Sequence, residues 1–353
     1  MRKQIATMRK ITGKSFKGKE LPAFTWNADL VYFDGPFISL FKSDRDEDAL
    51  FIWMDCDSRK NRWCIVQIAR DTLREYLSGS IPLLDVISRA GDLYFYDMGA
   101  SGKRSNFVVA QLANVPTEYL PRPDSYLDLE YATEAANQLA HEKTSLCEFH
   151  VDGDLYLEDV SSLTKTINQL YSFHYGLTYG HRTAVRNKLS EIMSSWRGGI
   201  NAVNIFSGLR SVIPSIHRPK INRLQYASPG FIELDALPHL AKHIEQSILN
   251  ISTAKEFENI QNLYNDVYVY FKKEKLSGFD DHSSSRASNL SAAQASQLEL
   301  FCDAFFNAFH WNAHKTTFTN LDNSPLSRLR VLLAYYRRAR KVVYMMNAGK
   351  VKI

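Results

Sequence analysis

The chain has 353 residues, of which 45% are hydrophobic and 23% charged, with a formal net charge of +5. That length fits two domains, each large enough to bury a core without disulfide or metal staples. No apolar run approaches the roughly 18 residues of a membrane-spanning helix, so no membrane partner is expected.

The four cysteines, Cys56, Cys64, Cys147 and Cys302, lack CxxC metal spacing and read as reduced thiols. The opening stretch MRKQIATMRKITGKSFKGKE is basic and carries no apolar segment or cleavage site of a secretory signal, so a cytoplasmic location is expected. Charge is segregated along the chain. Residues 1–27 hold seven basic residues against Glu20, residues 325–353 hold eight and no acid, and residues 181–223 hold eight against Glu191. Such asymmetry points to an anionic partner, nucleic acid or an acidic protein face, with a solvated surface as the competing account.

In chain order, residues 1–27 read as a basic flexible arm interrupted by Gly13, Gly18 and Pro22. Two strands follow, at 30–33 and 37–41, joined through Asp34-Gly35-Pro36. The runs 50–54 and 63–68 form the next hairpin across a polar turn, with Cys56 and Cys64 as candidates to face each other. A helix over 71–77 buries Leu73, Tyr76 and Leu77 and stops at Gly79; a second opens at Ser80-Ile81-Pro82. Strands at 92–98 and 106–112 flank the turn 99–104, and the proline-rich stretch 116–124 closes the unit. The expectation is a small antiparallel α+β domain over 28–130, with six strands and a helical insertion.

The succession YFDGPFISLFKSD, LFIWMDCDSRKNRWCIVQI, REYLSGSIPLLDVI, DLYFYDM and LPRPDSYLD resembles an uncharacterised bacterial domain family of unknown function, over roughly residues 30–130. The resemblance implies that domain boundary and a bacterial or phage-related origin; a broad similarity to two-part proteins of bacterial conflict and defence genes adds antiviral defence as a context. It carries over no catalytic residue.

Residues 131–353 read as a larger, mostly helical domain with a short sheet. A helix over 132–142 precedes CEFHVDGDLYLED, where Asp152-Gly153 has hairpin-turn chemistry. A helix capped by Ser161 or Ser162 carries Leu163, Ile167, Leu170, Tyr171 and His174 inward. The next is striped by Val185, Leu189, Ile192 and Trp196, with Arg182, Arg186 and Lys188 on its outer face. INRLQYASPGFIELD reads as strand, turn and strand. Two helices follow, over 237–250 and 253–273, the second opened by a Thr253-to-Glu256 capping box. The Ser-rich stretch 277–294 reads as a mobile loop. The last helix, over 326–346, places Leu329, Leu332, Tyr336, Ala339 and Val343 on one side and Arg330, Arg337, Arg338 and Lys341 towards another, a basic amphipathic helix.

For chemistry, Asp55 and Asp57 at a strand end can share a divalent cation, and Asp152 and Asp154 pose the same question; turn and surface chemistry explains both pairs with fewer ligands required. His239 and His243, like His310 and His314, have the i,i+4 spacing that puts two imidazoles on one helix face, without the glutamate of HExxH. Hydrogen-bonded histidines beside an apolar stripe are the competing account. Cys64 lies within a strand, Ser172 reads as a helix hydroxyl, and GASGKRS at 99–105 lacks phosphate-loop spacing. No catalytic residue, cofactor or metal site is assigned. The binding residues expected are Arg330, Arg337, Arg338, Arg340 and Lys341, interleaved with Tyr335 and Tyr336, together with Arg182, Arg186 and Lys188, gripping phosphates or an acidic partner. The function expected is a non-enzymatic binding or assembly component acting on a protein partner, another copy of the chain or nucleic acid. The alternative is a metal-dependent hydrolase or nuclease whose site assembles only in three dimensions.

Overall fold

Alternation of apolar and polar residues along the hairpin around residue 58 sets the first sheet, because side chains two apart share one face of a strand. Leu50, Ile52, Cys64 and Val66 are buried together on that face. The computed structural model describes residues 8–57, 60–99, 106–194, 205–227, 230–280, 289–320 and 324–353. It is α+β: a seven-stranded antiparallel sheet, then a mostly helical part with a four-stranded sheet. The chain divides into two units, Met1–Lys143 with Pro214–Ile216, and Thr144–Ile213 with His217–Ile353.

In the first unit β1 (Lys14–Phe16), β2 (Phe24–Tyr32), β3 (Pro36–Ser43), β4 (Asp48–Cys56), β5 (Lys60–Ile68), β6 (Leu93–Gly99) and β7 (Asn106–Ala110) assemble in the order β1-β7-β6-β5-β4-β3-β2. Helices α1 (Arg70–Leu77), α2 (Leu83–Arg89) and α3 (Glu134–His141) bury Leu73, Tyr76, Val86, Ile87, Ala136 and Leu139 in the same core as Leu40, Leu50, Val66 and Phe95. The opposite face carries cross-strand aromatic pairs, including Phe41 on Phe51 at 4.0 Å and Tyr96 stacked on Phe107 at 4.6 Å. Such pairs stabilise a sheet beyond their backbone hydrogen bonds.

Three expectations for this unit are corrected. The sheet has seven strands because part of the expected basic arm is an edge strand, with Lys14–Phe16 paired to β7. Gly13 permits that approach, since a Cβ there would collide with the Val109 carbonyl. Ile11 is buried, and the Arg9 N–H donates to Tyr119 Oη at 2.8 Å. The boundary falls at Lys143 instead of near residue 130. Thr133 anchors the crossing, its N–H donating to the Leu30 carbonyl at 3.0 Å and its Oγ1 accepting from Ala136 N–H to cap α3. Cys56 pairs with Asn61 and Cys64 with Ile52, so the register keeps those thiols apart.

In the second unit β8 (Ser145–Val151), β9 (Lys220–Gln225), β10 (Gly230–Ala236) and β11 (Val351–Lys352) form an antiparallel sheet in the order β11-β8-β10-β9. Around it lie α4 (Leu157–Tyr179), α5 (Thr183–Ser194), α6 (Pro238–Leu249), α7 (Ala254–Lys273), α8 (Ala292–Ala308), α9 (Lys315–Thr319) and α10 (Pro325–Asn347). Thr253 caps α7 as its sequence requires, accepting from Glu256 N–H at 3.3 Å. Asp152-Gly153 ends β8 without making a hairpin. The residues after it open α4, where the Asp159 carboxylate accepts from Tyr156 N–H at 3.1 Å and Lys350 Nζ at 2.7 Å; both hold it below the ordinary carboxylate range.

The C-terminal helix differs most from expectation. Residues 325–336 of α10 are all buried, as are Arg338, Ala339, Val342 and Val343. It is a core helix, buried all round over its first three turns, and not a surface helix with one basic face. Among the described residues no helix is long and apolar enough to cross a membrane.

Burial pushes the Cys64 and Cys302 thiols up to about 12, while Cys56 is exposed. A thiol reagent at neutral pH is therefore expected to label Cys56 in the native protein and to reach Cys64 and Cys302 only after denaturant is added. Rapid native labelling of Cys302, read by peptide mass spectrometry, would contradict the packing of α8 against α10.

Candidate functional site

The eight expected binding cations are mostly engaged within the second unit. Arg330 is 1% exposed and donates to the Ser277 carbonyl, and burial pulls its guanidinium down to about 10, so it stays charged at neutral pH. Arg337 donates to the Phe279 carbonyl at 2.9 Å. These bonds anchor residues 277–279, the start of the expected mobile loop; Phe279 packs on Tyr264 at 4.9 Å and Phe271 at 5.5 Å. Residues 281–288 of that stretch lie outside the described residues, and Ser291 caps α8.

Arg338, also buried, donates to Gln169 Oε1 at 2.8 Å and lies 4.0 Å above the Phe206 ring. Arg340 donates to Gln261 Oε1 at 3.0 Å and covers the Tyr264 and Tyr336 rings. Arg182 sits 4.1 Å over Tyr179, and Lys188 pairs with Glu191 at 3.0 Å. Only Arg186 and Lys341 of the eight are exposed. Tyr335 and Tyr336, which interleave with these arginines in sequence, are both fully buried. The physical reason is context: arginine stems pack like apolar side chains, and carbonyls and ring faces receive the heads.

The paired histidines do come together, but across elements. His243 of α6 lies 6.0 Å from His174 of α4 and 5.9 Å from His314, ring centre to ring centre, and His239 is 6.3 Å from His243. His310 and His314 do not share a helix. His310 ends α8 in the left-handed region at φ 57° and is exposed, and His314 closes the short turn Asn312–His314. His174, His243, His314, Gln246, Ser247 and Asn250 line a cavity of about 360 Å³ with Trp311 as an apolar wall.

His174 is fixed by a 2.8 Å hydrogen bond between its Nε2 and Tyr335 Oη. Trp311 Nε1 donates to Ser247 Oγ at 2.9 Å, and Ser247 Oγ donates to the His243 carbonyl at 2.7 Å. Nδ1 of His243 is buried without a hydrogen-bond partner. Burial, then the neighbouring imidazoles, hold His174 well below its ordinary range and His243 below it; burial lowers His314.

The acidic candidates Asp55, Asp57 and Asp152 have hydrogen-bond donors within the fold, Asp55 from a remote tyrosine and the other two from their own turns. Asp55 accepts from Tyr119 Oη at 2.7 Å, Asp57 accepts from Lys60 N–H at 2.9 Å, and Asp152 from Gly153 N–H at 2.8 Å. Ser172 Oγ donates to the Asn168 carbonyl of its own helix at 2.9 Å. Residues 100–105 of the GASGKRS stretch lie outside the described residues. Among the described residues no group of three or more His, Cys, Asp or Glu side chains is arranged to hold a metal ion.

A surface the sequence reading passed over is strand β9. It pairs only with β10 among the described strands, and Lys220 to Leu224 are all exposed. Arg223 pairs with Glu233 and Ile221 with Leu234, so Asn222 is the extra residue of a bulge. The bulge puts Ile221 and Leu224, three apart, on the face where Ile232 and Leu234 are buried. They remain 47% and 48% exposed. Beside them runs a groove of about 190 Å³ lined by Leu163, Ile167, Ile221 and Ile232, with Arg210 and Arg218 at its polar side. The signal available in sequence was an apolar pair in a strand otherwise composed of Lys, Asn, Arg and Gln.

Comparison with known proteins found no matching family model, curated protein or solved structure.

Two outcomes follow from the interior placement of α10 and the histidines. Leu332→Ala is expected to cost about 2–5 kcal/mol in urea denaturation, while exposed Lys341→Ala stays within about 0.5 kcal/mol. Histidines that fold with lowered pKa are neutral in the native state and take up protons on unfolding. Stability is therefore present above the unfolded value of about 6.5 and falls as pH drops below it towards the native values. Urea midpoints across that window, in the wild type and in His243→Asn, read the effect; the variant's profile should be flatter.

Proposed function

We propose that the protein is a non-enzymatic binding and assembly component, and that its second unit takes a partner protein by strand addition to β9. The observation that supports this is the edge strand Lys220–Gln225, exposed over its first five residues, with Ile221 lining an adjoining groove and Leu224 half-exposed on the same face. Strand addition draws affinity from main-chain hydrogen bonds and specificity from alternate side chains entering pockets. Here the pockets are apolar, and the strand and its approach carry Arg218, Lys220 and Arg223. The occupant is an extended segment of alternating apolar residues flanked by Asp or Glu. The bland account is an edge guarded against aggregation by its charges, but two half-exposed aliphatic side chains are not part of that device. A bacterial setting rests on the resemblance over residues 30–130, and antiviral defence is the context we propose for it.

The test is peptide display against the intact protein, followed by hydrogen exchange. Selected peptides should be acidic, alternate apolar residues, and protect the amides of residues 220–225. Binding should fall at least about tenfold in Leu224→Lys, a loss of about 1.4 kcal/mol, with thermal stability unchanged. Basic peptides, or protection elsewhere, would remove the reading, as would a dimer of the free protein that Leu224→Lys dissociates.

A further inference from the structure

The histidine-lined cavity of the second unit is separate from β9 and has no role in strand addition. Its polar side is built from His174, His243, His310, His314, Gln246, Ser247 and Asn250, and no Asp or Glu is among the residues lining it. A cationic ligand would find no countercharge in that lining. An anion would meet the polar side chains of His243, His310, His314 and Gln246 without repulsion.

We propose that this cavity binds a small oxyanion, phosphate-like or carboxylate, by hydrogen bonds from His243 and His314, with uptake of a proton from water as it binds. No covalent bond forms or breaks. An imidazole that is neutral in the empty cavity becomes imidazolium beside the anion, because an opposite charge within about 4–6 Å favours the charged form. The groups that face it are known from each packed element. His174 and Tyr179 come from α4, and His239 and Lys242 flank His243 on α6. His310, His314 and Lys315 follow α8, and Tyr335 comes from α10. Tyr179 Oη is 3.1 Å from His239 Nε2, and Lys315 pairs with Asp303 at 2.6 Å. His174 is committed to Tyr335, Asn250 Nδ2 donates to the Phe309 carbonyl at 3.2 Å and His310 is exposed, which leaves His243 and His314 as the half-buried imidazoles facing the ligand. Trp311, 5% exposed, forms the apolar wall, and the cavity of about 360 Å³ fits a small ligand.

The test is isothermal titration of the intact protein with sulfate and, separately, acetate, near pH 6 and near pH 8, where neither probe changes its charge. The expected result is one site, bound at least about tenfold more tightly near pH 6. Heats in buffers of different ionisation enthalpy should show proton uptake of about one per anion. His314→Gln and His243→Gln should each abolish binding while keeping the thermal midpoint near pH 8. Should either variant fail to fold, imidazole nitrogen shifts of the wild type on sulfate addition supply the same reading. Affinity independent of pH, binding retained in His314→Gln, or no binding near pH 6 would overturn the proposal.

Discussion

The second unit depends on burying a helix that carries arginines. Helix α10 is covered on all sides over residues 325–336, and a guanidinium taken out of water must find acceptors or a ring face within its reach. Each head therefore dictates a neighbour. Arg330 and Arg337 fix the carbonyls of Ser277 and Phe279, Arg338 fixes Gln169 of α4, and Arg340 fixes Gln261 of α7. Phe206 and Tyr264 complete the solvation with their faces. Electrostatics here does not stabilise the fold on balance so much as select one arrangement of α4, α7 and the segment after α7, since any other would strand a charge.

The same helix produces the histidine cavity. Tyr335 is fully buried, and its hydroxyl reaches His174 at 2.8 Å while its ring meets Trp311 at 4.4 Å. Trp311 in turn is held by Ser247 of α6, the helix that presents His243. The back wall of the cavity is thus core packing, and the side that can answer a ligand is formed by His243, His310, His314 and Gln246. Imidazole suits such a position because it is neutral when buried yet needs only a modest change of field to charge. A lysine or a carboxylate in its place would demand a permanent partner.

Local regularity was legible in the sequence, and burial was not. Thr253 with Glu256, Leu73 with Tyr76, and the alternation of residues 50–54 identified their elements because those signals lie within one turn or one strand. The arginines of α10 depart from their pattern for the opposite reason: their spacing matches a solvated stripe, and what decides their fate is Gln169 and Ser277, remote in sequence. The histidine pairs were noticed at i,i+4, yet the contacts that form join His243 to His174 and to His314, across 69 and 71 residues. The domain boundary moved for a similar cause, since the amphipathic stripe of Ala136 and Leu139 does not say which core it enters.

An edge strand tests this logic from outside. Main-chain groups along β9 recognise any extended chain equally well, so discrimination must come from side chains. Antiparallel pairing of two copies of KINRLQ can set Ile221 opposite Leu224, a match on apolar grounds. It would also bring together two strands each carrying Lys220 and Arg223, with Arg218 just outside. In that register Lys220 faces Gln225 and Arg223 faces Asn222, so a second copy offers these cations no countercharge, whereas an acidic segment would place carboxylates opposite them. Charge at this edge therefore favours an acidic segment over a second copy, a preference set by what the copy lacks.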